Sequence, residues 1–447
     1  MGESMALRSS SSFASIVEKY RPDLTRYQEL YKHCHANGEL STQEKETASL
    51  ITQHLKKLSD DLDIRTGIGG HGQIAILKNG PGKTILLRAD IDALPVQEKT
   101  GLPYASTKTM RDTDGIIKPV MHACGHDFHI TSLLAAAETL IAARSTWSGT
   151  IVFLFQPAEE RGCGARAMVD DGLYSADRHA CPIPDVVLGQ HVFPLQAGKT
   201  ATRAGPVMSA ADSFKVTIYG SGGHGSMPHR TIDPVVIASH IVVRLQTIRS
   251  REVPPDETAV VTVGALQAGS TENVISDEAV LKINIRSVSV EWRERVLASV
   301  KRIIKAECLA GDCPKEPLIE PTSSFPLTIN DAEVAGEINK SFTAYFGEDN
   351  HDPNLKNVLG SEDFGILGSS IGKPYCFWFF GGHDAGMYDE MVKKGEEHKI
   401  PVNHSPFFAP VVQPTLTIGV DALVVAALTY VGKKVTTTTN HLDACTG

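Results

Sequence analysis

The chain has 447 residues, 42% of them hydrophobic and 21% charged, and a formal net charge of −9. A chain this long usually builds more than one core, so we expect two domains. The negative charge, without a dense basic run, excludes a nucleic-acid-binding protein and favours a small-molecule partner.

The first part of the chain alternates helices with short apolar strands. A charged helical opening (14–60) precedes predicted strands at 83–95, 149–156 and 184–192, and a helix is predicted at 130–143. Continuous apolar strands separated by helices are typical of a mostly parallel sheet flanked by helices. We therefore predict an α/β catalytic domain that is discontinuous in sequence and consists of residues 14–197 and 319–432.

The pattern of predicted strands and helices changes near residue 198. The segment contains predicted elements in the order β-α-β-β-α, at 213–222, 232–250, 258–269, 278–289 and 291–310. Within it, Asp233 is a plausible helix N-cap, followed by Pro234 at the first helical position. This order predicts an inserted α+β domain (198–318) with a ferredoxin-like antiparallel sheet. We expect it to act as a lid and to form a homodimer through its helices and strand edge.

After the insertion we predict a late strand at 376–380 and a closing helix at 415–431. Asp421 interrupts the apolar run of that helix, which indicates a buried helix and not a membrane span. We expect the tail, 433–447, to be disordered. The chain opens without the apolar stretch of a signal peptide, and its 8 scattered cysteines do not form a disulfide pattern, so we expect a cytoplasmic protein with reduced thiols.

Polar residues follow the ends of the predicted strands. Asp90 follows the first strand, Glu159 and Glu160 follow the second, and His191 lies at the end of the third. The histidine-rich stretch 122–129 directly precedes a helix. Open α/β sheets bind ligands beyond the carboxyl ends of their strands, so these segments are expected to converge on one edge.

The side chains expected there are types that bind zinc, manganese, cobalt or nickel, namely Cys124, His126, Glu160 and His191, with His404 far downstream. A catalytic zinc keeps about three protein ligands, so five ligands fit a pair of divalent ions that share a bridge. Glu159, next to a ligand, could take the proton of a water molecule. An isolated Glu-Glu pair is more often a solvated helix start, but its position after a buried strand favours chemistry here.

Seven segments in order strengthen this interpretation: "RADIDALP", "MHACGHDFH", "FQPAEE", "GQHV", "GGHGSMPH", "SEDF" and "NHSPFF". Together they resemble the M20 metallopeptidase family, in particular its amidohydrolase branch of aminoacylase-like enzymes, hippurate hydrolases and hydrolases of indole-acetyl amino acids. The resemblance covers residues 25–432.

The resemblance implies a role for each matching residue. Cys124, as the bridge, and His126 match the first two metal ligands, and Glu160, His191 and His404 match the others. Glu159 matches the general base, and Asp90 a residue that supports the metal centre from behind its ligands. His224 matches a histidine that reaches a neighbouring subunit's active site and polarises the scissile carbonyl. Asn273 matches a residue that helps to hold the substrate.

Some positions depart from the family or have no role in it. Gly38 and Ser276 stand where the family usually has proline, which affects substrate detail and not the reaction. His122 is interpreted as loop support, and His129 as a helix-start residue or a support for a ligand. Cys163, three residues after Glu160, is interpreted as a small buried or partly buried thiol and not as a ligand.

The sequence thus predicts a metal-dependent hydrolase that cleaves the amide bond of N-acyl amino acids carrying acetyl, benzoyl or aryl-acetyl groups. A dipeptidase or carboxypeptidase with the same mechanism is the first alternative. A catalytically inactive binding protein is the second, although it would be expected to lack the base or a ligand. The partner is a small molecule, with neither nucleic acid nor membrane.

Overall fold

The computed structural model describes residues 13–433, so the predicted tail, apart from residue 433, lies outside the described residues. The helices are α1 (13–20), α2 (Thr25–Ala36), α3 (Lys45–Leu58), α4 (His126–Ala142), α5 (Gly164–Asp170), α6 (Pro234–Thr247), α7 (Val290–Ala310), α8 (Ala332–Phe346), α9 (Ile366–Ser369), α10 (Ala385–Lys393) and α11 (Val412–Val431). The strands are β1 (Asp63–Ile68), β2 (Gly72–Asn79), β3 (Thr84–Asp90), β4 (Thr109–Arg111), β5 (Ile117–Pro119), β6 (Gly149–Gln156), β7 (Val186–Gln196), β8 (Thr200–Ala201), β9 (Gly205–Met208), β10 (Ala210–Tyr219), β11 (Gly223–His224), β12 (Ala259–Ala268), β13 (Val274–Ile275), β14 (Glu278–Ser287), β15 (Leu318–Phe325), β16 (Thr328–Asn330), β17 (His351–Asp352) and β18 (Tyr375–His383).

The large sheet has 8 strands in the order β1-β2-β6-β3-β7-β18-β8-β17. Its centre, β6-β3-β7-β18, is parallel throughout, whereas β2 and β8 join it in antiparallel fashion. The central strands are buried along nearly their whole length, as the continuous apolar runs require. The predicted mostly parallel sheet is confirmed.

Both faces of this sheet are covered. Side chains alternate along a strand, so Leu86 and Leu87 point to opposite faces. Leu87 lies in a core that includes residues of α4 and α11, and Leu86 lies in a second core with residues of α5 and α9. Helix α11 is long and apolar enough to cross a membrane, but 72% of its apolar window is buried, and it packs against α4 and α8 as a core helix.

The insertion forms an antiparallel sheet of four strands in the order β12-β14-β10-β15, with α6 and α7 packed against it in a separate core. The chain order β-α-β-β-α-β with this strand order is the predicted ferredoxin-like arrangement. Asp233 caps α6 by accepting a hydrogen bond from Val235 N at 2.9 Å. The limits 198 and 318 remain predictions, although the sheet itself runs from Ala210 to Phe325.

The topology places the polar segments at one edge. The parallel strands β3 and β6 end at Asp90 and Gln156, which are partners in the ladder. His191 lies on β7, the neighbour of β3 on the other side. Helix α4 begins at His126, earlier than the predicted 130, so the histidine-rich stretch itself leads into the helix.

Candidate metal centre

The two adjacent glutamates lie on a tight turn at the end of β6. Ala158 has a left-handed backbone (φ 51°), and Glu159–Arg161 form a short 3₁₀ turn. Both glutamates approach one imidazole: His126 Nε2 is 3.9 Å from Glu159 Oε2 and 3.8 Å from Glu160 Oε1. A left-handed alanine is unfavourable, so other contacts must hold this turn.

The structure brings together all the predicted metal ligands. Donor atoms of Cys124, Glu160 and His404 lie within 4.8 Å of one another, and so do those of His126, Glu159 and Glu160. Cys124 Sγ is 3.4 Å from the Nε2 atom of His191, and His404 Nε2 is 3.3 Å from Glu160 Oε2. Segments separated by up to 280 residues in the sequence thus form one cluster, Cys124 and His404 being its ends.

The local backbone geometry sets the directions of the side chains of Cys124 and His126. Gly125 has φ 83°, and a Cβ there would lie 2.3 Å from Val192 Cγ1, so the turn between Cys124 and His126 needs glycine. Asn403 fixes the same turn, because its Nδ2 donates to Cys124 O at 3.1 Å and to Val192 O at 3.2 Å. Asn403 had no predicted role, although it lies in the "NHSPFF" segment next to His404.

Two aspartates support the histidines from behind. Asp90 Oδ1 lies 2.5 Å from His129 Nδ1, and Asp90 Oδ2 accepts from Arg88 at 2.7 Å and lies 3.6 Å from His126 Nε2. Asp92 Oδ1 lies 3.2 Å from His126 Nδ1, and Asp92 Oδ2 accepts from the backbone N–H of Glu160 at 3.1 Å. Asp92 therefore orients one proposed ligand and anchors another, a role that its place beside Asp90 could have suggested.

A buried arginine balances part of the acidic charge. Arg88 is fully buried and contacts Glu362 at 2.8 Å in addition to Asp90. Carboxylate oxygens of Glu159, Glu362 and Asp363 lie within 4.8 Å of one another. Burial, and then Glu362 and Glu160, raise the pKa of Glu159 well above its usual range. The "SEDF" motif thus contributes Glu362 and Asp363, two acidic residues without a predicted role.

The donor set fits divalent cations. His126 Nε2 and Glu160 Oε1 are buried without a hydrogen-bond partner among the described residues, which is costly unless another group satisfies them. Burial, and then Glu160 and Glu159, raise the pKa of the Cys124 thiol, so a thiolate there requires a nearby cation. Thiolate, imidazole and carboxylate together suit borderline metals such as zinc.

The cluster opens into a cavity of about 380 Å³. Phe193, Met208 and Phe379 form an apolar wall, and Arg286 projects from β14 of the inserted domain. Arg286 donates from Nε to Asn284 Oδ1 at 3.1 Å and from Nη1 to Leu359 O at 2.6 Å. Its hydrogen-bond partners within residues 13–433 are uncharged and include no carboxylate, and burial lowers the pKa of the guanidinium. It is the cation on the cavity wall that lacks an anion.

His224 and Asn273 lie elsewhere, next to each other. His224 lies on β11, and Asn273 directly precedes β13, its partner strand; Gly225 N donates to Asn273 O at 2.8 Å. His224 is exposed and accepts a hydrogen bond from Ser226 N at 3.1 Å. Neither residue lines the described cavity, so within one chain they are separate from the proposed ligands.

The remaining singled-out side chains, His122, His129 and Cys163, are not among the proposed ligands. His122 is buried without a hydrogen-bond partner for either ring nitrogen among the described residues, and burial lowers its pKa to about 4. His129 is held on both sides, by Asp90 and by the N–H of Val192 at 2.9 Å. Cys163 is exposed, its Sγ approaches Ala158 O at 3.9 Å, and it belongs to none of the groups of possible ligands among the described residues.

An α/β sheet covered on both faces, a separate antiparallel sheet and a thiol-imidazole-carboxylate cluster at the sheet edge are the features of a metal-dependent hydrolase. The chain belongs to peptidase family M20/M25/M40, whose family description matches residues 86–400. It is therefore a metal-dependent amidohydrolase, as the motif resemblance predicted.

Individual relatives agree with this assignment. The chain is 38% identical to a hippurate hydrolase of Campylobacter jejuni over 78% of this chain and 87% of that protein. It is 33% identical to thermostable carboxypeptidase 2 of Saccharolobus solfataricus over 94% of this chain and 100% of that protein. A crystal structure of a dinuclear metal-binding M20 peptidase from Bacillus subtilis superposes with a TM-score of 0.67 at 28% identity, covering 90% of this chain and 98% of that one.

Proposed function

We propose that this chain hydrolyses the amide bond of N-acyl amino acids at a pair of divalent metal ions. The proposed ligands are Cys124, His126, Glu160, His191 and His404, of which the first two and His191 are buried, Glu160 is half-buried and His404 is exposed at the cavity. The observation that carries the proposal is that four of these ligands and Glu159 line the same cavity as Arg286, an arginine without a carboxylate partner among the described residues; the four are Cys124, Glu160, His191 and His404. The two features suit a substrate with a scissile amide and a free carboxylate.

The proton transfers are assigned to Glu159. Divalent ions held by this cluster would polarise the scissile carbonyl and lower the pKa of a water molecule. Glu159 takes the proton of the attacking water and passes it to the nitrogen of the leaving amino acid. The position of Glu159 supports this role, because its carboxylate lies beside His126 and Glu160 and lines the same cavity. Asp92 and Asp90 hold the histidines in position meanwhile.

The two ends of the substrate are assigned to two parts of the cavity. The guanidinium of Arg286 binds the free carboxylate, since a planar fork of N–H donors matches a carboxylate. The apolar wall of Phe193, Met208 and Phe379 suits an apolar acyl group of the acetyl, benzoyl or aryl-acetyl type. The hippurate hydrolase relative, whose name denotes a substrate of this kind, favours the same class.

Peptide hydrolysis is the second candidate. The carboxypeptidase relative favours it, because a peptide also presents an amide next to a free carboxylate. A dipeptide would in addition bring a free ammonium group. Among the described residues that line the cavity, Glu159 and Glu160 are the carboxylates, and both are engaged in the metal cluster. This composition favours substrates whose amine is acylated.

We further propose a homodimer in which the inserted domain presents His224 to the other subunit's site, where it polarises the scissile carbonyl, with Asn273 holding the substrate. The outer face of α6 carries exposed apolar side chains, with Val243 70% exposed and Val236 52% exposed. Neighbouring apolar side chains exposed on one helix face are typical of a surface that another protein subunit covers. The ion is proposed to be zinc, manganese, cobalt or nickel, and the compartment the cytoplasm, where the unpaired cysteines remain reduced.

The first experiment removes metal from purified protein and resupplies zinc, manganese, cobalt or nickel in turn. Each preparation is assayed on N-acetyl, N-benzoyl and indole-acetyl amino acids and on unblocked dipeptides. Glu159→Gln should abolish turnover, whereas Glu348→Gln, at an exposed glutamate, should not. Metal-restored cleavage of acyl amino acids supports the proposal. Cleavage of peptides alone would replace it with the second candidate, and metal binding without turnover of any substrate would contradict both.

A further inference from the structure

The segment 39–44, "ELSTQE", packs against the edge of the sheet that carries the metal cluster. Ala93 N donates to Glu39 O at 2.7 Å, and Leu40 forms a parallel bridge with Ala93. The segment therefore runs alongside the chain that leaves β3 after the proposed support residues. Two of its polar side chains contact residues next to the metal cluster, one at Asp92 and one at Ala158.

Ser41 reaches the first place. Its hydroxyl donates to Asp92 Oδ2 at 2.6 Å, the oxygen that also accepts from the N–H of Glu160 at 3.1 Å. The other oxygen of Asp92 faces His126 Nδ1 at 3.2 Å. Ser41 thus fixes the rotation of the carboxylate that orients two proposed ligands at once.

Glu44 reaches the second place. Its side chain is fully buried, and Oε1 accepts from Thr42 N at 2.7 Å and from Ala158 N at 2.8 Å. Ala158 is the left-handed residue (φ 51°) that turns the chain into the two adjacent glutamates. A left-handed backbone is unfavourable for a residue other than glycine, so this turn persists only where its surroundings hold it. The carboxylate of Glu44 provides that hold from outside the cluster.

We infer that Ser41 and Glu44 are positioning residues that keep Glu159, Glu160 and His126 facing one another. Neither side chain touches a proposed ligand: Ser41 acts through Asp92 and Glu44 through the backbone of Ala158. The consequence for turnover rests on the proposed function, whereas the consequence for the geometry of the metal cluster does not.

The test compares Glu44→Ala, Glu44→Gln and Ser41→Ala with a control in the same segment. Glu39 is also buried, but its carboxylate accepts from Thr47 N and Thr47 Oγ1 at 2.7 and 2.8 Å, at the start of α3. Glu39→Ala removes a comparable glutamate without touching the turn. All variants are loaded with Co²⁺, and three quantities are measured: cobalt affinity, the absorption of the cobalt-thiolate bond, and kcat and KM on N-benzoylglycine.

Removing partners of this kind typically lowers metal affinity or activity by about 10- to 100-fold, and we expect this for Glu44→Ala and Ser41→Ala, in kcat more than in KM. The cobalt absorption should change as well. Glu44→Gln keeps an acceptor oxygen and should recover kcat to within about threefold of the parent. Glu39→Ala should lower the thermal midpoint only.

Each other outcome is decisive. Parental kcat and cobalt spectrum in both Glu44→Ala and Ser41→Ala would overturn the inference, as would an equal effect of Glu39→Ala, since that would show general destabilisation. If Glu44→Ala does not fold, Glu44→Gln and Ser41→Ala carry the test. If the parent protein cleaves no acyl amino acid, the proposed function fails, and the cobalt affinities and spectra still decide the positioning role.

Discussion

Replacement of Arg286 by leucine tests the proposed carboxylate site directly. The guanidinium is half-buried at the cavity and bonds to a carbonyl, Leu359 O, and to an amide oxygen, Asn284 Oδ1, which leaves its charge without an anion. Leucine keeps the apolar stem and removes the charge. Substrates with a free carboxylate should then lose their anchor, whereas the metal cluster should stay intact.

The magnitude follows from the exposure of the site. A charge pair at 4 Å is worth about 4 kcal/mol at the effective dielectric of a protein surface, and truncating one partner of a well-formed pair costs about 2–5 kcal/mol. Because Arg286 is only half-buried, we take the lower part of this range, about 3 kcal/mol, which corresponds to a loss of about 100-fold in kcat/KM. Lysine at this position keeps the charge but not the fork, so Arg286→Lys should lie in between.

The assay is a cycle between protein and substrate. N-benzoylglycine and N-benzoylglycinamide, which lacks the carboxylate, are each tested with the parent protein and with Arg286→Leu. If the guanidinium of Arg286 contacts the substrate carboxylate, the parent protein should prefer N-benzoylglycine strongly over N-benzoylglycinamide. Arg286→Leu should show far less preference between the two substrates, because either change alone already breaks the contact. Arg203→Leu is the control, since Arg203 also donates to a carbonyl, Leu355 O at 3.2 Å, but does not line the cavity. Equal losses on both substrates would refute the carboxylate assignment.

Three further outcomes are expected. Inactive His224→Ala and Glu159→Gln proteins can be mixed after reversible dissociation of the dimers. If His224 acts across a two-fold dimer, half of the dimers are hybrids with one complete site each, so about a quarter of parental activity should return. Activity that stays at background would place His224 in its own subunit. Chelation should lower the thermal midpoint, and re-added metal should raise it in the parent more than in Glu160→Ala, as calorimetry would show. The pKa of His35 is raised to about 10 by Asp127 and Glu98 against the opposing effect of burial, so its stabilisation should be complete below pH 6.5 and disappear as pH rises to about 10. Urea unfolding of the parent and of His35→Gln should therefore differ by a few kcal/mol, on the order of 5 at most, below pH 6.5 and converge near pH 10.

The parts of this site that could be predicted are those for which residue type and strand ends suffice. Cys124, Glu160 and His191 could be placed together because parallel strands end at a common edge, wherever the connecting segments run. The ferredoxin-like insertion was equally accessible, since its strands alternate and its helices carry capping residues such as Asp233. In each case the information is local.

The supporting contacts were not accessible, because each joins distant segments whose meeting depends on the whole fold. Glu44 and Ala158 are 114 residues apart, and Arg88 and Glu362 are 274 apart. The sequence around a buried arginine or glutamate does not indicate which distant residue it pairs with. His35 shows the same limit, because its buried pairing with Asp127 at 2.7 Å carries no sequence signal.

The contacts between the inserted domain and the catalytic domain bear on engineering. Phe325, the last residue of β15, places its ring where a Cβ on Gly162 would approach it to 2.8 Å, directly beyond the two glutamates. Arg286 bonds across the same boundary to the loop at Leu359. A chimera that exchanged only the inserted domain with a relative would bring a new wall to the cavity but lose both fitted contacts. Recombination of specificities in this protein should therefore transfer residue 162 and the loop 359–361 together with the domain.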